Sequence, residues 1–159
     1  MPTTATRSLF DLTGRTALVT GASSGLGERF GRILAASGAK VALAARRADR
    51  LAALADEIGP AAAAVQMDVA READIIAGFD AAEAAFGPVD TVIANAGVDG
   101  AGMATTISEE EIEQTLAINL KGAILTAREG ANRMMAHGVT KGRIVMIASI
   151  TATEPSPGL

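Results

Sequence analysis

The 159-residue sequence contains no cysteine and no tyrosine, and a single histidine, His137. Without cysteine there is no disulfide, no thiolate metal site and no cysteine nucleophile, and one histidine cannot hold a metal alone. Aromatic residues make up 3% of a composition that is 49% hydrophobic and 20% charged, which points to small-residue helices packed closely on a sheet more than to a core of large rings. Basic residues are scattered, 14 against 18 acidic for a net charge of −4. No basic cluster is long enough to track a phosphate backbone, so nucleic acid is not an expected partner. No uncharged apolar run reaches membrane-spanning length and Met1 to Asp11 has no signal-peptide core, so the expectation is a cytoplasmic protein without a membrane partner. The length fits one domain, 1–159.

What is present is organised around Thr20-Gly21-Ala22-Ser23-Ser24-Gly25-Leu26-Gly27. Ahead of it, Thr16 to Thr20 is a short apolar, β-rich run of the kind that forms a strand buried on both faces. Behind it, Phe30, Ile33 and Leu34 fall at helical spacing and Gly38 stands where the helix would stop. Glycine at 21 suits a sharp strand-to-helix turn, glycine at 25 lets a diphosphate approach bare main chain, and glycine at 27 would let the helix pack tightly on the sheet. First-turn amides of that helix, at the positive end of its dipole, attract phosphate oxygens. A bare glycine triplet is also the mark of an ordinary tight βα turn.

Further along, Lys40 to Ala45, Ala63 to Val69, Asp90 to Ala94 and Arg143 to Ser149 read as strands. Helices are expected over Asp49 to Ile58, over Arg71 to Phe86 with Ile75, Ile76 and Phe79 inward, and from a capping box at Ser108-Glu109-Glu110-Glu111 towards Met135. In that long helix Ile112, Leu116, Ile118, Leu120, Ile124 and Leu125 carry the apolar pattern. Asn95-Ala96-Gly97 opens a loop running to about Ser108, and the chain beyond Ser149 reads as loop. Strands alternating with helices imply right-handed βαβ units, a doubly wound parallel sheet and the strand order 3-2-1-4-5.

The spacing Thr-Gly-x-x-x-Gly-x-Gly, with the lead-in Phe10 to Arg15, resembles the short-chain dehydrogenase/reductase family. The resemblance implies cofactor contacts at Gly21, Ser23, Ser24, Gly25, Leu26 and Gly27. At the end of the second strand, where a carboxylate would hold the ribose hydroxyls of NAD, Ala45 is followed by Arg46 and Arg47. A guanidinium pairs bidentately with a 2′-phosphate, so the expected cofactor is NADP, with NAD the alternative and Arg46 ahead of Arg47 as the contact. Asp68-Val69 resembles the family's adenine-contacting pair. Asn95-Ala96-Gly97 is similar to its Asn-Asn-Ala-Gly element, with Ala94 in place of the first asparagine. Asn119, in Asn119-Leu120-Lys121-Gly122, matches the asparagine that positions a water and the catalytic lysine; Ser149 matches the catalytic serine that bonds the substrate oxygen. Read without the resemblance, Asp68 is a turn aspartate, Asn119 a helix-surface amide and Ser149 a strand-end turn serine.

The implied activity is hydride transfer between NADP(H) and a small carbonyl or secondary alcohol, with a homo-oligomer formed through the long helix. In the family a tyrosine, tuned by a lysine four residues on, transfers the proton. That Tyr-x-x-x-Lys pair would fall just past Leu159. The expectation is therefore the amino-terminal part of a longer oxidoreductase, without its carboxyl-terminal strands and helices. Ile144, Val145, Met146 and Ile147 would then form an uncovered apolar edge. The alternative is a non-catalytic dinucleotide-binding or interaction protein. An S-adenosylmethionine-dependent methyltransferase would require an acidic residue where Arg46 and Arg47 stand. No metal site is expected, and His137 is read as a helix-end residue.

Overall fold

Small and β-branched apolar runs fall where strands are expected, and five of them pair: β1 (Thr16–Thr20), β2 (Lys40–Ala45), β3 (Ala62–Gln66), β4 (Thr91–Ala94) and β5 (Arg143–Met146). In this computed structural model, which describes residues 10–99, 105–150 and 153–154, every strand pairing is parallel and the order is β3-β2-β1-β4-β5. The helices are α1 (Gly25–Ala36), α2 (Ala48–Ile58), α3 (Glu72–Phe86) and a continuous helix made of α4 (Glu109–Thr115), a π segment (Leu116–Gly122) and α5 (Ala123–Ala136). The fold is the expected doubly wound one. Strand order reverses between β1 and β4, the place where such sheets leave a crevice at their carboxyl ends.

Alternation along the strands divides the core into two. Val19, Val41 and Leu43 face Phe30 and Leu34 of α1 and Leu51 and Leu54 of α2. Leu18, Ala42, Ala44 and Val92 face Ile75 and Phe79 of α3 and Leu125 and Met134 of α5. The helices meet the sheet at residues with no side chain. A Cβ on Gly31 would lie 2.5 Å from Leu43 Cδ2, one on Gly78 2.8 Å from Met67 Cε, and one on Gly130 2.7 Å from Val92 Cγ2. Close approach through glycine brings the helices onto the sheet where an aromatic-poor sequence has few large rings to fill the space.

The sequence-based expectations differ from the structure in three places. β3 ends at Gln66 and not Val69, because its partner β2 ends at Ala45, the residue registered with Gln66. β5 likewise stops at Met146, opposite Ala94 at the end of β4, so Ser149 lies beyond the strand. Ile76 is not inward: it is 40% exposed, whereas Ile75 and Phe79 are buried, since one residue turns a helix by roughly 100° and carries Ile76 off the buried face. In the long helix only Ile118 and Leu125 of the six apolar residues are buried; Ile112, Leu116, Leu120 and Ile124 are exposed.

The Ser108 capping box is present, with Ser108 Oγ accepting from Glu111 N and Glu111 Oε2 accepting from Ser108 N. That backbone hydrogen bond holds the Glu111 carboxyl below its ordinary pKa. β5 is an edge strand, and Arg143, Ile144, Val145 and Met146 are all exposed, as expected. His137 caps the carboxyl end of α5 and sits 3.2 Å from Glu83 of α3. No helix among the described residues is long and apolar enough to cross a membrane. The readings made for Met1 to Leu9, for the middle of the loop after Gly97 and for most of the chain beyond Ser149 lie outside the described residues.

The isoleucine and phenylalanine positions on α3 give a direct check. Phe79→Ala should destabilise the fold by about 3–5 kcal/mol in denaturant titration, and Ile76→Ala by no more than about 0.5 kcal/mol. Comparable losses would contradict the observed face of α3.

Candidate functional site

The site is assembled at the end of β1. Thr20 is 2% exposed, and a buried hydroxyl must find partners. Its Oγ1 accepts from the backbone N–H groups of Asn95 and Ala96, both at 3.0 Å, and donates to Ile93 O at 3.4 Å. Its carbonyl accepts from Asn95 Nδ2 at 2.9 Å. These bonds latch the first βα turn to the loop after β4, across the point where the strand order reverses.

Gly21 follows at φ +69°, and a Cβ there would stand 2.9 Å from both Ala96 Cα and Asn95 Nδ2. Only glycine meets both demands. Gly27 packs against the Gly21 carbonyl and Asn95 Nδ2; it holds α1 to the turn, and the tight contact with the sheet expected of it belongs to Gly31. Gly25, at φ +59°, has nothing within 4 Å of a Cβ position, so bare main chain faces open space. Beside it, the amides of the first turn of α1 lack intrahelical acceptors and lie at the positive end of the dipole.

The turn forms one wall of a cleft of about 610 Å³, counted out to its open mouth. Gly21, Ser23 and Ser24 line it from the turn, Ala45, Arg46 and Arg47 from the end of β2, Met67, Asp68 and Val69 from the end of β3, Ala96, Gly97 and Val98 from the loop after β4, and Ile118 from the π segment. The structure thus gathers Gly21, Ser23, Ser24, Arg46, Arg47, Asp68, Val69, Ala96 and Gly97 in one place. Leu26 is exposed on the first turn of α1. Asn95 is turned behind the glycine turn as a brace, its amide committed to Thr20.

The two arginines differ. Arg47 donates from Nε and Nη2 to Ser23 Oγ at 3.1 and 2.8 Å, and from Nη2 to Ser24 Oγ at 2.8 Å. Arg46 contributes its carbonyl, which accepts from Gln66 Nε2 at 3.2 Å. Asp68 Oδ1 accepts from Ala70 N at 3.0 Å, so it is a turn aspartate and also a wall of the cleft.

Asn119 is not a free helix-surface amide. Its Oδ1 accepts from Val98 N at 2.9 Å and its Nδ2 donates to Val98 O at 2.8 Å. It lies in the π segment, and such wide turns recur at functional sites. Gly122, one turn on, seats that segment on Val69: a Cβ there would lie 2.9 Å from Val69 O. Ser149 is exposed, past the end of β5, and does not line the cleft. Sequence reasoning missed Thr20, Val98 and Gln66 as parts of this assembly. Thr20 carried a signal, being a polar residue at the end of an apolar strand and the first residue of the glycine stretch. Val98 and Gln66 carried none. Among the described residues no three acidic or histidine side chains converge as metal ligands.

The bare Gly25, the free helix amides and two cations suit a ligand carrying several phosphates. The sequence model for short chain dehydrogenases matches residues 15–159. Nodulation protein G of a Rhizobium species is 35% identical over 94% of this chain and 60% of its own length. Galactitol 2-dehydrogenase of Agrobacterium fabrum is 38% identical over 87% of this chain and 54% of its own. Among solved structures, the 3-ketoacyl-(acyl-carrier-protein) reductase of Brucella melitensis complexed with NADH superposes with a TM-score of 0.88 at 36% identity, covering 94% of this chain and 63% of that one. The chain therefore spans little more than half to three fifths of the length of these relatives.

The latch at Thr20 is open to a single substitution. Thr20→Val keeps the shape and leaves the Asn95 and Ala96 amides without their acceptor, and is expected to cost about 1–3 kcal/mol in denaturant titration. A loss below about 0.5 kcal/mol would mean that the amides find other partners.

Proposed function

Because the chain belongs to the short chain dehydrogenase family, we propose that it is the dinucleotide-binding part of an oxidoreductase that moves a hydride between NADP(H) and a small carbonyl or secondary alcohol. The observation that carries this reading is the convergence of the glycine turn, the Arg46-Arg47 pair and Asp68-Val69 on one cleft at the carboxyl ends of the strands. The NADH complex of the Brucella reductase supports a nicotinamide dinucleotide as the ligand class; the two arginines, where a carboxylate would favour NAD, support NADP over NAD.

In this reading the diphosphate lies on Gly25 and the first-turn amides of α1, including those of Leu26 and Gly27. Asp68 accepts from the adenine amine and Val69 flanks the ring. Asn95, Ala96 and Gly97 form the far wall. The bound nicotinamide supplies or accepts the hydride. Asn119, fixed by its two bonds to Val98, orients groups on the substrate side of the cleft, and the Ser149 hydroxyl holds the substrate oxygen. Neither residue supplies the proton that the oxygen gains on reduction, and the sequence holds no tyrosine to do so. The reaction thus needs a longer or complemented chain, and we place it in the cytoplasm. The second reading is a non-catalytic dinucleotide-binding protein.

Fluorescence titration with NADPH, followed by turnover against a panel of carbonyls, tests both. The 159-residue chain should bind NADPH without turning over carbonyls, and Gly25→Ala, whose methyl meets no protein atom, should weaken binding by about tenfold or more. Failure to bind, or turnover by this chain alone, would overturn the proposal.

A homo-oligomer through the long helix is the accompanying proposal. Ile112, Leu116, Leu120 and Ile124 form an exposed row at four-residue intervals. Four-residue steps overrun a turn of roughly 3.6 residues, and the wider π turn between Leu116 and Leu120 offsets that drift. Exposed Glu109, Glu110 and Glu113 stand towards one end and exposed Lys121 and Arg128 towards the other. Two copies packed antiparallel about a two-fold axis would set acid against base. In sedimentation, the Leu116→Asp/Leu120→Asp double variant should be a monomer where the parent is a dimer; an unchanged distribution would exclude this face.

A further inference from the structure

β5 stands at the end of the five-stranded sheet and pairs with β4 alone. Its backbone groups alternate in direction. Arg143 N donates to Asp90 O at 2.8 Å and Ile147 N donates to Ala94 O at 3.0 Å, so Arg143, Val145 and Ile147 are turned to β4, and Ile144 and Met146 present their N–H and C=O groups outward. The side chains alternate across the sheet plane. Ile144, in register with Val92, lies on the face covered by α3 and α5, as does Met146; Val145, in register with Ile93, lies on the face covered by α1 and α2. From Ile144 to Ile147 every side chain is apolar and exposed. An apolar edge with outward backbone groups is a template for further strand pairing.

We infer that this edge is an interface between two copies of the chain, which pair β5 to β5, antiparallel, about a two-fold axis at Val145. Three points support it. First, the edge complements itself. A two-fold axis normal to the sheet keeps each face on its own side, and with the axis at Val145 it sets Ile144 opposite the partner's Met146 and Met146 opposite the partner's Ile144. Those are the residues with outward backbone groups, so each pair exchanges both its N–H···O bonds, and Val145 meets the partner's Val145 as the closely spaced pair without such bonds. Every side chain at the centre of the contact then faces an apolar one, the favourable cross-strand case.

Second, the charges at the two ends select the antiparallel direction. Lys141 and Arg143 precede the apolar run and Glu154 follows it; all three are exposed, and none forms an ion pair among the described residues. Antiparallel pairing turns the cationic end of each copy towards the end of the other that carries Glu154, whereas parallel pairing would set cation beside cation. Third, the antiparallel contact is isologous and closes on itself; a parallel one would leave a fresh edge after each addition. The strand is four residues long, so the contact is weak and forms at protein concentrations above those at which the long-helix face pairs. It is independent of that face and of the cofactor reading.

The absence of cysteine from the sequence makes disulfide trapping a clean probe. Single variants Val145→Cys, Ile144→Cys and Met146→Cys are oxidised in the parent and in the Leu116→Asp/Leu120→Asp background, which disables the helix face. Val145→Cys should form a disulfide-linked dimer at least about tenfold faster than either neighbour, because only residue 145 meets its own copy at bridging distance. Val145→Lys, which sets like charges on the axis, should keep the melting temperature of the dilute parent and abolish the concentration-dependent association of the Asp background in sedimentation. In hydrogen exchange, the Ile144 and Met146 amides should gain protection as concentration rises, while those of Arg143 and Val145 stay as they are. Faster trapping at residue 144 or 146 would overturn the inferred pairing. Protection of Ile144 and Met146 at every concentration, without trapping, would mean that the same chain covers the edge, and neither protection nor trapping would mean that the edge stays open; both outcomes overturn the inference.

Discussion

The carboxyl edge of the sheet depends on the bonds around Thr20. A doubly wound sheet divides at the point where its strand order reverses, and the loops that leave β1 and β4 turn to opposite sides there. Thr20 ties them together: one hydroxyl accepts two backbone amides, and one carbonyl accepts the Asn95 side chain. Because Thr20 is buried, those bonds are not exchanged with water, and losing them would leave amides unpaired in the interior. The latch also fixes Gly21 against Ala96, and Gly27 against Gly21. The glycine turn is thus shaped by its neighbours as much as by its own torsional freedom.

The second constraint is closeness. Gly31, Gly78, Gly130 and Gly122 each stand where a methyl group would meet a side chain or backbone atom at 2.5–2.9 Å. The alanine-rich sequence thus brings its helices near to the sheet, in place of filling space with rings. The same device reaches the site. Gly122 seats the π segment on Val69, and from there Asn119 reaches the backbone of Val98 with both ends of its amide. Close packing of the helix and the position of the site asparagine are one arrangement.

Much of this was legible in the sequence, for physical reasons. Strands β1 and β2 are apolar except at their terminal Thr16, Thr20 and Lys40, so their bounds follow closely from composition, and the glycine and proline stops mark α2 and α3. The capping box at Ser108 is a local motif with local partners. What escaped notice depends on pairing at a distance. The ends of β3 and β5 are set by where β2 and β4 stop, which nothing within Ala63 to Val69 or Arg143 to Ser149 records. Ile76 has the same composition as Ile75 and differs only in angle. The π segment has no compositional mark, and without it Asn119 reads as a surface amide. Arg46 and Arg47 are indistinguishable as letters; the two serines that hold Arg47 lie more than twenty residues away.

The candidate site also divides along a line of burial. Its glycine turn and arginines rest on β1 and β2, in which every residue except Lys40 is buried, and its Asp68-Val69 wall is pinned by the contact between Val69 and Gly122. Such elements open only in large cooperative steps, so the surfaces proposed to recognise adenosine and diphosphate are preformed. Ser149 instead follows β5, an edge strand whose residues are all exposed and which pairs on one side only. The surfaces proposed for dinucleotide recognition and the hydroxyl proposed for the substrate oxygen thus rest on different supports: the first on buried strands, the second on exposed chain beyond β5.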